Sequence, residues 1–409
     1  MTIALLSNTA YIVIYKGYLY SAEPSEIFKI FRASGIKISN PIRVGNLTLA
    51  HRVVLAPLTR YRADDDHIPL PFVKDYYAQR ACVPGTLLIT EATFISPRAG
   101  GFNNVPGIYN DLQIKAWKEV TDAVHAKGCF IFCQLWALGR AAKPEVLASE
   151  GYPVVSSGNL PISEKHAVPE PLDEKGIQEF IGDYVQAAKN AVEAGFDGVE
   201  IHGANGYLCD QFSQDVCNNR NDRWGGSIEN RSRFGLEVAK AVAAAIGSDK
   251  SAYRISPWSR FQDMRMADPR PQFTHLVQNL AKIGLAYLHV VESRVSGSYT
   301  VEEPPESIEF LVDAFDGAGA VILAGGFSPQ SAKEAVKSHK NQRIAIAFGR
   351  HFIPNPDLAF RIFNNIDLTP YDREKFYTPK STVGYIDYPN SPEYDAWASS
   401  KTRISETPN

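Results

Sequence analysis

Cysteine is scarce in this chain, and its five cysteines form no C-x-x-C pair. An odd number without paired spacing argues against a disulfide framework and against an iron–sulfur site. Cys129 and Cys133 lie on one apolar run and are predicted to be small core residues, because free cysteine is usually buried. No metal site is expected, and a reducing, cytosolic location follows as the default.

The sequence also lacks an excess of positive charge, and it lacks long apolar runs. The formal net charge of -3 leaves no basic footprint for nucleic acid. No run approaches the ~20 apolar residues that a membrane span needs. The mildly apolar segment 1–20 carries its one cation, Lys16, after the apolar part, so it lacks the basic start of a signal peptide. We expect a cytoplasmic monomer or homodimer that binds neither nucleic acid nor a membrane.

The sequence does contain short apolar segments that alternate with longer amphipathic ones. Eight of the short segments are typical of strands buried on both faces of a parallel sheet. They are 53–56, 86–89, 130–133, 198–201, 252–255, 287–291, 321–324 and 344–348. Five helices are predicted by apolar residues at helical spacing. They are 111–127, 173–194, 230–246, 272–283 and 328–337.

Eight strand-then-helix units in one chain are the repeat of a (β/α)8 TIM barrel, an α/β fold. A doubly wound enzyme of two domains would need a linker, and no break rich in Pro, Gly or Ser divides the pattern. We expect one barrel domain at 41–389, preceded by an extension and insertion at 1–40 and followed by a tail at 390–409. A Ser- and Pro-rich capping excursion at 146–171 follows the third strand, and the aromatic residues of 370–409 are expected to pack back over the barrel.

Three polar residues follow the fourth strand, where nothing structural requires them. His202, Asn205 and Tyr207 lie in the turn beyond its C-terminal end. That end of a barrel strand is where chemistry is done in this fold. Two neutral hydrogen-bond donors and a phenol suit polarisation of a carbonyl oxygen and delivery of a proton nearby.

Glycines and an arginine follow the seventh and eighth strands, in Gly325-Gly326 and Gly349-Arg350. Loops at these two positions of a barrel often bind phosphate through backbone amides, and the guanidinium adds a bidentate partner. The pairs together predict a phosphate site.

A buried cation is predicted by Arg254, which lies inside an apolar strand. It is either in a structural salt bridge or beside a cofactor ring that becomes negative on reduction. Thr59 and Gln134 suit the polar edge of a heteroaromatic ring. With the phosphate site these residues outline a bound mononucleotide.

These features resemble the Old Yellow Enzyme family of fungal type, which are FMN-dependent ene-reductases on a (β/α)8 barrel. The resemblance covers roughly 41–389 and rests on short motifs of specific sequence. They include VLAPLTR at 54–60, QLW at 134–136, HGANGY at 202–207, DRWGGS at 222–227, SPW at 256–258, AGG at 324–326, FGR at 348–350 and GYIDYP at 384–389.

The resemblance implies FMN as cofactor, NADPH as reductant and an α,β-unsaturated carbonyl compound as substrate. The flavin ring would be contacted by Pro57, Leu58, Thr59, Ala92, Gln134 and Arg254. The phosphate would be held by Gly326, Gly349 and Arg350, with Gly325 beside them. His202 and Asn205 would bind the substrate's carbonyl oxygen, Tyr207 would donate the proton, and the substrate cavity would be shaped by Trp136 and Tyr377.

Two alternatives stay open beside reduction of activated alkenes. The scaffold could serve a pathway-specific reduction or isomerisation in secondary metabolism. In related ergot-pathway enzymes a phenylalanine at the position of Tyr207 accompanies isomerisation, so tyrosine here favours net reduction. A catalytically idle flavin-binding barrel is the remote alternative. One departure from the family pattern is the segment 30–40, expected to loop out at the N-terminal face of the barrel without touching the flavin.

Overall fold

The computed structural model describes residues 36–297, 299–301 and 306–405, and three strands within 2–22. Those strands, Thr2–Ser7, Ala10–Tyr15 and Tyr18–Ala22, pair antiparallel in that order. Residues 30–35 of the expected insertion lie outside the described residues. The boundaries proposed at 40 and 389 stay predictions.

Eight parallel strands close into a barrel and follow one another around it in chain order. They are β1 (Val53–Leu55), β2 (Leu87–Phe94), β3 (Phe130–Trp136), β4 (Gly198–His202), β5 (Ser251–Ile255), β6 (Tyr287–Val291), β7 (Ala320–Ala324) and β8 (Ile344–Phe348). Each overlaps a strand predicted from the apolar runs, so the TIM-barrel fold is confirmed. Every residue of the eight strands is buried, except the first residue of β3. This burial is expected for continuous apolar strands that are covered on both faces.

A helix follows each strand. The eight helices are α1 (Val73–Arg80), α2 (Asp111–His125), α3 (Glu174–Glu193), α4 (Ile228–Ile246), α5 (Arg270–Ala281), α6 (Glu309–Ala314), α7 (Pro329–Ser338) and α8 (Leu358–Asn364). The five predicted helices are confirmed within a few residues. Four of them begin at a side chain that accepts from the first turn's backbone N–H, namely Asn110, Asp173, Ser227 and Ser328.

The N-terminal end of the barrel is closed by a hairpin of Ile42–Val44 and Leu47–Leu49. Its apolar side chains pack with Val54 and Leu87 inside the barrel. Gly45 turns the hairpin at a φ of 55°, and a Cβ there would lie 2.0 Å from the Asp249 carbonyl oxygen. The opposite, C-terminal end is left open for a ligand.

The remaining elements are short or peripheral. The helices are Pro144–Ser149, Leu208–Ser213 and Pro392–Ser405, and the 3-10 turns are Pro97–Ala99, Gly139–Ala141, Ser248–Lys250, Arg350–Phe352 and Arg373–Lys375. Val155–Ser156 pairs parallel with Glu170–Pro171 in the capping excursion, and Val295–Ser296 pairs antiparallel with Tyr299–Thr300. Among the described residues, no helix is both long and apolar enough to cross a bilayer.

The aromatic segment 370–409 was predicted to pack back over the barrel, and its residues Phe376 and Tyr385 contact the barrel. Arg60 Nε and Arg62 Nη1 both donate to the Phe376 carbonyl, at 2.9 and 3.1 Å. The Tyr385 ring stacks on Tyr76 of α1 with centroids 4.1 Å apart. Since both arginines are buried, these contacts fix the tail beside the open end of the barrel.

Candidate active site

A cavity of about 700 Å³ lies at the C-terminal ends of the barrel strands. All fifteen residues that the sequence nominated line it. They are Pro57, Leu58, Thr59, Ala92, Gln134, Trp136, His202, Asn205, Tyr207, Arg254, Gly325, Gly326, Gly349, Arg350 and Tyr377. None of the lining residues belongs to the capping excursion at 146–171.

His202 ends β4 and is a neutral imidazole with a defined tautomer. Its side chain is buried, and its Nδ1 accepts from the Ala204 backbone N–H at 3.4 Å. Since a backbone N–H can only donate, the ring proton is on Nε2. Burial, together with the positive charge of Arg254, lowers the pKa of His202 well below 6.5. Nε2 is thus a neutral donor.

Asn205 is held in the left-handed region at a φ of 56°, where asparagine is tolerated better than most residues. Its backbone N–H donates to Ser256 Oγ at the end of β5, at 2.7 Å. The next residue, Gly206, has a φ of 76° and donates its N–H to Asp210 Oδ2 at 2.9 Å. These two contacts fix the turn that carries the carboxamide and the phenol.

Tyr207 lies between two other rings of the cavity. Its centroid is 4.8 Å from Trp136 and 4.9 Å from His202, both nearly edge-on. Burial, with the nearby phenols of Tyr61 and Tyr377, raises the pKa of Tyr207 above its ordinary value of 10.0. The phenol therefore stays protonated at neutral pH and can act as an acid.

Arg254 projects from β5 into the cavity above a buried carboxylate. Glu200 of β4 accepts from Gln134 Nε2 at 2.7 Å and from His289 Nδ1 at 2.8 Å. Its charge attracts the Arg254 guanidinium. The Arg254 Nε has no hydrogen-bond partner among the described residues, although it is buried. Among the described residues Arg254 forms no salt bridge, which leaves the cofactor interpretation of this buried cation.

The glycine–arginine end lies beyond β7 and β8. Gly325 and Gly326 have φ values of 123° and 67°. Residues with a side chain rarely adopt such positive φ values, so both positions require glycine. Arg350 Nη1 donates to Thr300 Oγ1 at 3.1 Å, and its guanidinium lies 5.5 Å from the Tyr371 ring centroid. The loop after β6 therefore contacts Arg350, the residue predicted to bind phosphate.

The residues present fit a flavin mononucleotide. The cavity has the size of a cofactor pocket, which is roughly 300–1,000 Å³. Two of its buried nitrogens, Arg254 Nε and Trp136 Nε1, have no partner among the described residues. A buried polar group normally has one, so these donors indicate a polar ligand. A ring with a polar edge and a phosphate tail matches a cavity with a guanidinium at one side and a glycine–arginine loop at the other.

Several lining residues were missed from the sequence. They are Tyr61, Phe102, Phe261, Gln262, Tyr299, Thr300, Tyr371 and Phe376. Tyr61 directly follows the motif that nominated Thr59, so its position was a usable signal. Most of the others lie in long connections. The spacing of apolar residues there does not predict which way a side chain points.

Comparisons with known proteins agree with the geometry. The sequence profile of the NADH:flavin oxidoreductase / NADH oxidase family matches residues 37–369. The chain is 56% identical over 360 residues to chanoclavine-I aldehyde reductase fgaOx3 of Penicillium roqueforti, which covers 88% of this chain and 97% of that protein. It is 52% identical over 368 residues to an Epichloe festucae var. lolii protein named "Probable inactive reductase easA", with 87% and 95% covered.

A solved structure gives the same result. The Old Yellow Enzyme from Pichia sp. AKU4542 superposes with a TM-score of 0.81 at 38% identity, over 88% of this chain and 95% of that one. The sequence profile spans all eight strands of the barrel. The chain belongs to the NADH:flavin oxidoreductase / NADH oxidase family, and it is an FMN-type oxidoreductase of the Old Yellow Enzyme kind.

Proposed function

We propose that the chain reduces the C=C bond of α,β-unsaturated carbonyl compounds, with FMN as cofactor and NADPH as reductant. The observation that carries this proposal is the meeting of His202, Asn205 and Tyr207 on a cavity that also presents Arg254 and Arg350. When bound, FMN takes a hydride from NADPH and supplies one from N5 to the β-carbon of the substrate. NADP+ and the saturated carbonyl compound are the products.

Two sets of residues hold the cofactor in this proposal. Thr59, Gln134 and Arg254 serve the polar edge of the ring, and Pro57, Leu58 and Ala92 lie against it. Gly325, Gly326, Gly349 and Arg350 serve the phosphate. Their roles rest on the family resemblance, and their common placement on one cavity supports them.

His202 and Asn205 stabilise the negative charge that develops on the carbonyl oxygen as hydride reaches the β-carbon. His202 donates from Nε2, the nitrogen that the Ala204 contact leaves protonated. Asn205 donates from its carboxamide, which the Ser256 contact positions through the backbone. Donors fixed before the reaction cost no reorganisation, and removal of one such donor typically costs about 3–4 kcal/mol.

Tyr207 protonates the α-carbon, so hydride and proton add across the double bond and the charge balances. Its raised pKa keeps the proton on the phenol until the acceptor carbon becomes basic. Solvent then restores the proton to the phenolate. The surrounding rings of Trp136 and His202 hold the phenol in place.

Within this class, the proposed substrates are α,β-unsaturated aldehydes that carry a bulky group. The walls carry Tyr61, Phe102, Trp136, Phe261 and Tyr377, which offer apolar and aromatic contact. The relative from Penicillium roqueforti is named an aldehyde reductase, which also supports this choice.

A second candidate is a pathway-specific reduction or isomerisation in secondary metabolism. The name of that same relative, an aldehyde reductase, supports the reduction rather than the isomerisation. Isomerisation returns the hydride and consumes no net NADPH. An idle barrel is the third candidate, and it follows from the relative named as inactive. The complete set of His202, Asn205 and Tyr207 argues against idleness in this chain.

The test is to purify the chain, identify any released flavin, and supply NADPH with a panel of enals, enones and maleimides. The proposal expects released FMN, and one NADPH consumed for each saturated carbonyl product. Substrate turnover without NADPH consumption favours isomerisation. A colourless protein that takes up no added FMN contradicts all flavin-dependent functions.

A further inference from the structure

We propose that Glu200, oriented by His289, is a positioning residue that sets both the orientation of Gln134 and the effective charge of Arg254 toward the flavin. This inference rests on the proposed flavin site. Glu200 and His289 do not line the cavity, whereas Gln134 and Arg254 do. Glu200 therefore acts through its neighbours rather than by contact with a ligand.

The contacts use both oxygens of the carboxylate. Glu200 lies inside the barrel on β4, two residues before His202, and both Glu200 and His289 are fully buried. Oε1 accepts from Gln134 Nε2 at 2.7 Å, and Oε2 accepts from His289 Nδ1 at 2.8 Å. A carboxylate held by two donors from β3 and β6 has one orientation.

This arrangement removes the ambiguity of the Gln134 amide. A carboxylate can only accept, so the amide nitrogen of Gln134 must face Glu200. The carbonyl oxygen and the second N–H are left for the cavity. An acceptor and a donor side by side match the alternating carbonyl and N–H groups of a flavin's pyrimidine edge.

The same carboxylate offsets the charge of Arg254. Although burial opposes ionisation, His289, Arg254 and Gln134 together keep the pKa of Glu200 below 4.5. Burial and the nearby Arg254 guanidinium lower the pKa of His289. The Glu200 carboxylate offsets part of the Arg254 charge, so the ring site feels a partly compensated guanidinium.

Stability alone gives little reason for this cluster. A well-packed apolar group is often as stable as a buried ion pair, because desolvation costs more than the attraction returns. Another part of the barrel interior is an apolar cluster that contains Val54, Leu87 and Ile322. The Glu200 carboxylate instead bonds to Gln134 and attracts Arg254, the two side chains proposed to bind the polar edge of the ring.

Two variants separate the two effects. Glu200→Gln keeps the shape and can retain both contacts when His289 takes its other tautomer, but it removes the charge. Glu200→Asp keeps the charge but withdraws the carboxylate from Gln134. Asp357→Asn is the control, since Asp357 is another fully buried carboxylate, bonded to Arg361 and Ser391, and it does not line the cavity.

The readouts are the FMN dissociation constant and the two-electron midpoint potential of the bound flavin. In Glu200→Gln, the uncompensated guanidinium should favour the anionic reduced flavin over the oxidised form roughly tenfold, which is a rise of about 30 mV. In Glu200→Asp, FMN should bind roughly three- to tenfold more weakly, with the potential unchanged. Asp357→Asn should change neither value, although it lowers the melting temperature.

An unchanged potential in FMN-bound Glu200→Gln overturns the proposal, and so does an unchanged FMN affinity in Glu200→Asp. Should Glu200→Gln not fold, the affinity of Glu200→Asp decides. The wild-type chain keeps this result distinct from the proposed function. Wild type that binds no FMN refutes the flavin site itself, whereas FMN binding without these shifts refutes only the role of Glu200.

Discussion

The backbone N–H of Asn205 donates to the Ser256 hydroxyl at 2.7 Å, which joins the turn after β4 to the end of β5. The bond supports a left-handed residue, and the carboxamide's position depends on it. We expect Ser256→Ala to lower the second-order rate of enal reduction roughly three- to tenfold, the worth of one ordinary hydrogen bond. Reduction of the flavin by NADPH should be unaffected.

Stopped-flow measurement of the two half-reactions checks this expectation. Ser149→Ala is the control, because among the described residues that hydroxyl bonds only within its own short helix, to the Val146 carbonyl. A Ser256→Ala protein with both half-reactions unchanged would mean that the turn holds itself without this bond.

Removal of the phenol tests the proton donor. Tyr207→Phe should keep FMN and its reduction by NADPH, but slow re-oxidation by an enal by roughly 10²- to 10⁴-fold, the usual contribution of a general acid. Rapid-scan absorbance of the flavin follows both steps. Tyr184→Phe is the control, since Tyr184 is a buried tyrosine that does not line the cavity. Unchanged enal turnover in Tyr207→Phe would refute the assigned role.

The pH dependence follows from two pKa shifts of opposite direction. The raised pKa of Tyr207 keeps its proton in place as the pH approaches 10.0, and the lowered pKa of His202 keeps the imidazole neutral at and below pH 6.5. The rate of flavin re-oxidation by an enal should therefore be flat between these values. It should fall only as the pH rises through the raised phenol pKa.

Single-turnover rates across this range provide the measurement. A limb in the profile near 6.5 would show that His202 titrates at its ordinary value, contrary to its burial. A loss of rate well below 10.0 would indicate an acid other than Tyr207.

The phosphate role of Arg350 predicts a selective loss. Arg350→Ala should weaken FMN binding roughly 10- to 100-fold, the range for a hydrogen bond to a charged group. Riboflavin lacks the phosphate, so its affinity should stay the same. Quenching of flavin fluorescence on titration with apoprotein gives both constants.

Arg343→Ala is the matched control, because Arg343 is exposed and does not line the cavity. Equal losses for FMN and riboflavin in Arg350→Ala would place the effect on the shape of the cavity rather than on the phosphate.

The barrel was predictable from sequence because its strands are short apolar runs with a nearly constant rhythm. The end of β2 was not. The prediction stopped at Ile89, but the strand continues to Phe94 through buried polar residues. Thr90 Oγ1 accepts from the Gln134 backbone N–H at 3.0 Å, and Glu91 Oε2 accepts from the Arg60 N–H at 3.2 Å. Partners distant in sequence make a polar segment compatible with a buried strand.

Helix α1 was missed for a related reason. Its buried residues, Val73, Tyr76, Tyr77 and Arg80, have helical spacing. Two tyrosines and an arginine do not read as an apolar stripe, however, and Phe72 before the helix provides no side-chain cap. The Arg80 guanidinium is buried because it donates to the carbonyls of Phe352 and Tyr76. That solution depends on tertiary contacts.

The candidate site divides in the same way. Residues at strand ends could be nominated, since barrel topology brings those ends together. The Glu200 cluster could not, because its partners are 66 and 89 residues away in the chain. Its one local signal was a carboxylate inside an apolar strand, the same kind of signal that nominated Arg254.

In the proposed function, His202, Asn205 and Tyr207 act on a substrate above a flavin held by Arg254 and Arg350. Anaerobic single turnover of the reduced holoprotein with a conjugated aldehyde is the decisive measurement. We expect the absorbance of oxidised flavin to return in full, with one saturated aldehyde formed per flavin. Flavin that stays reduced in the presence of the aldehyde, or that re-oxidises without saturation of the double bond, would refute this mechanism.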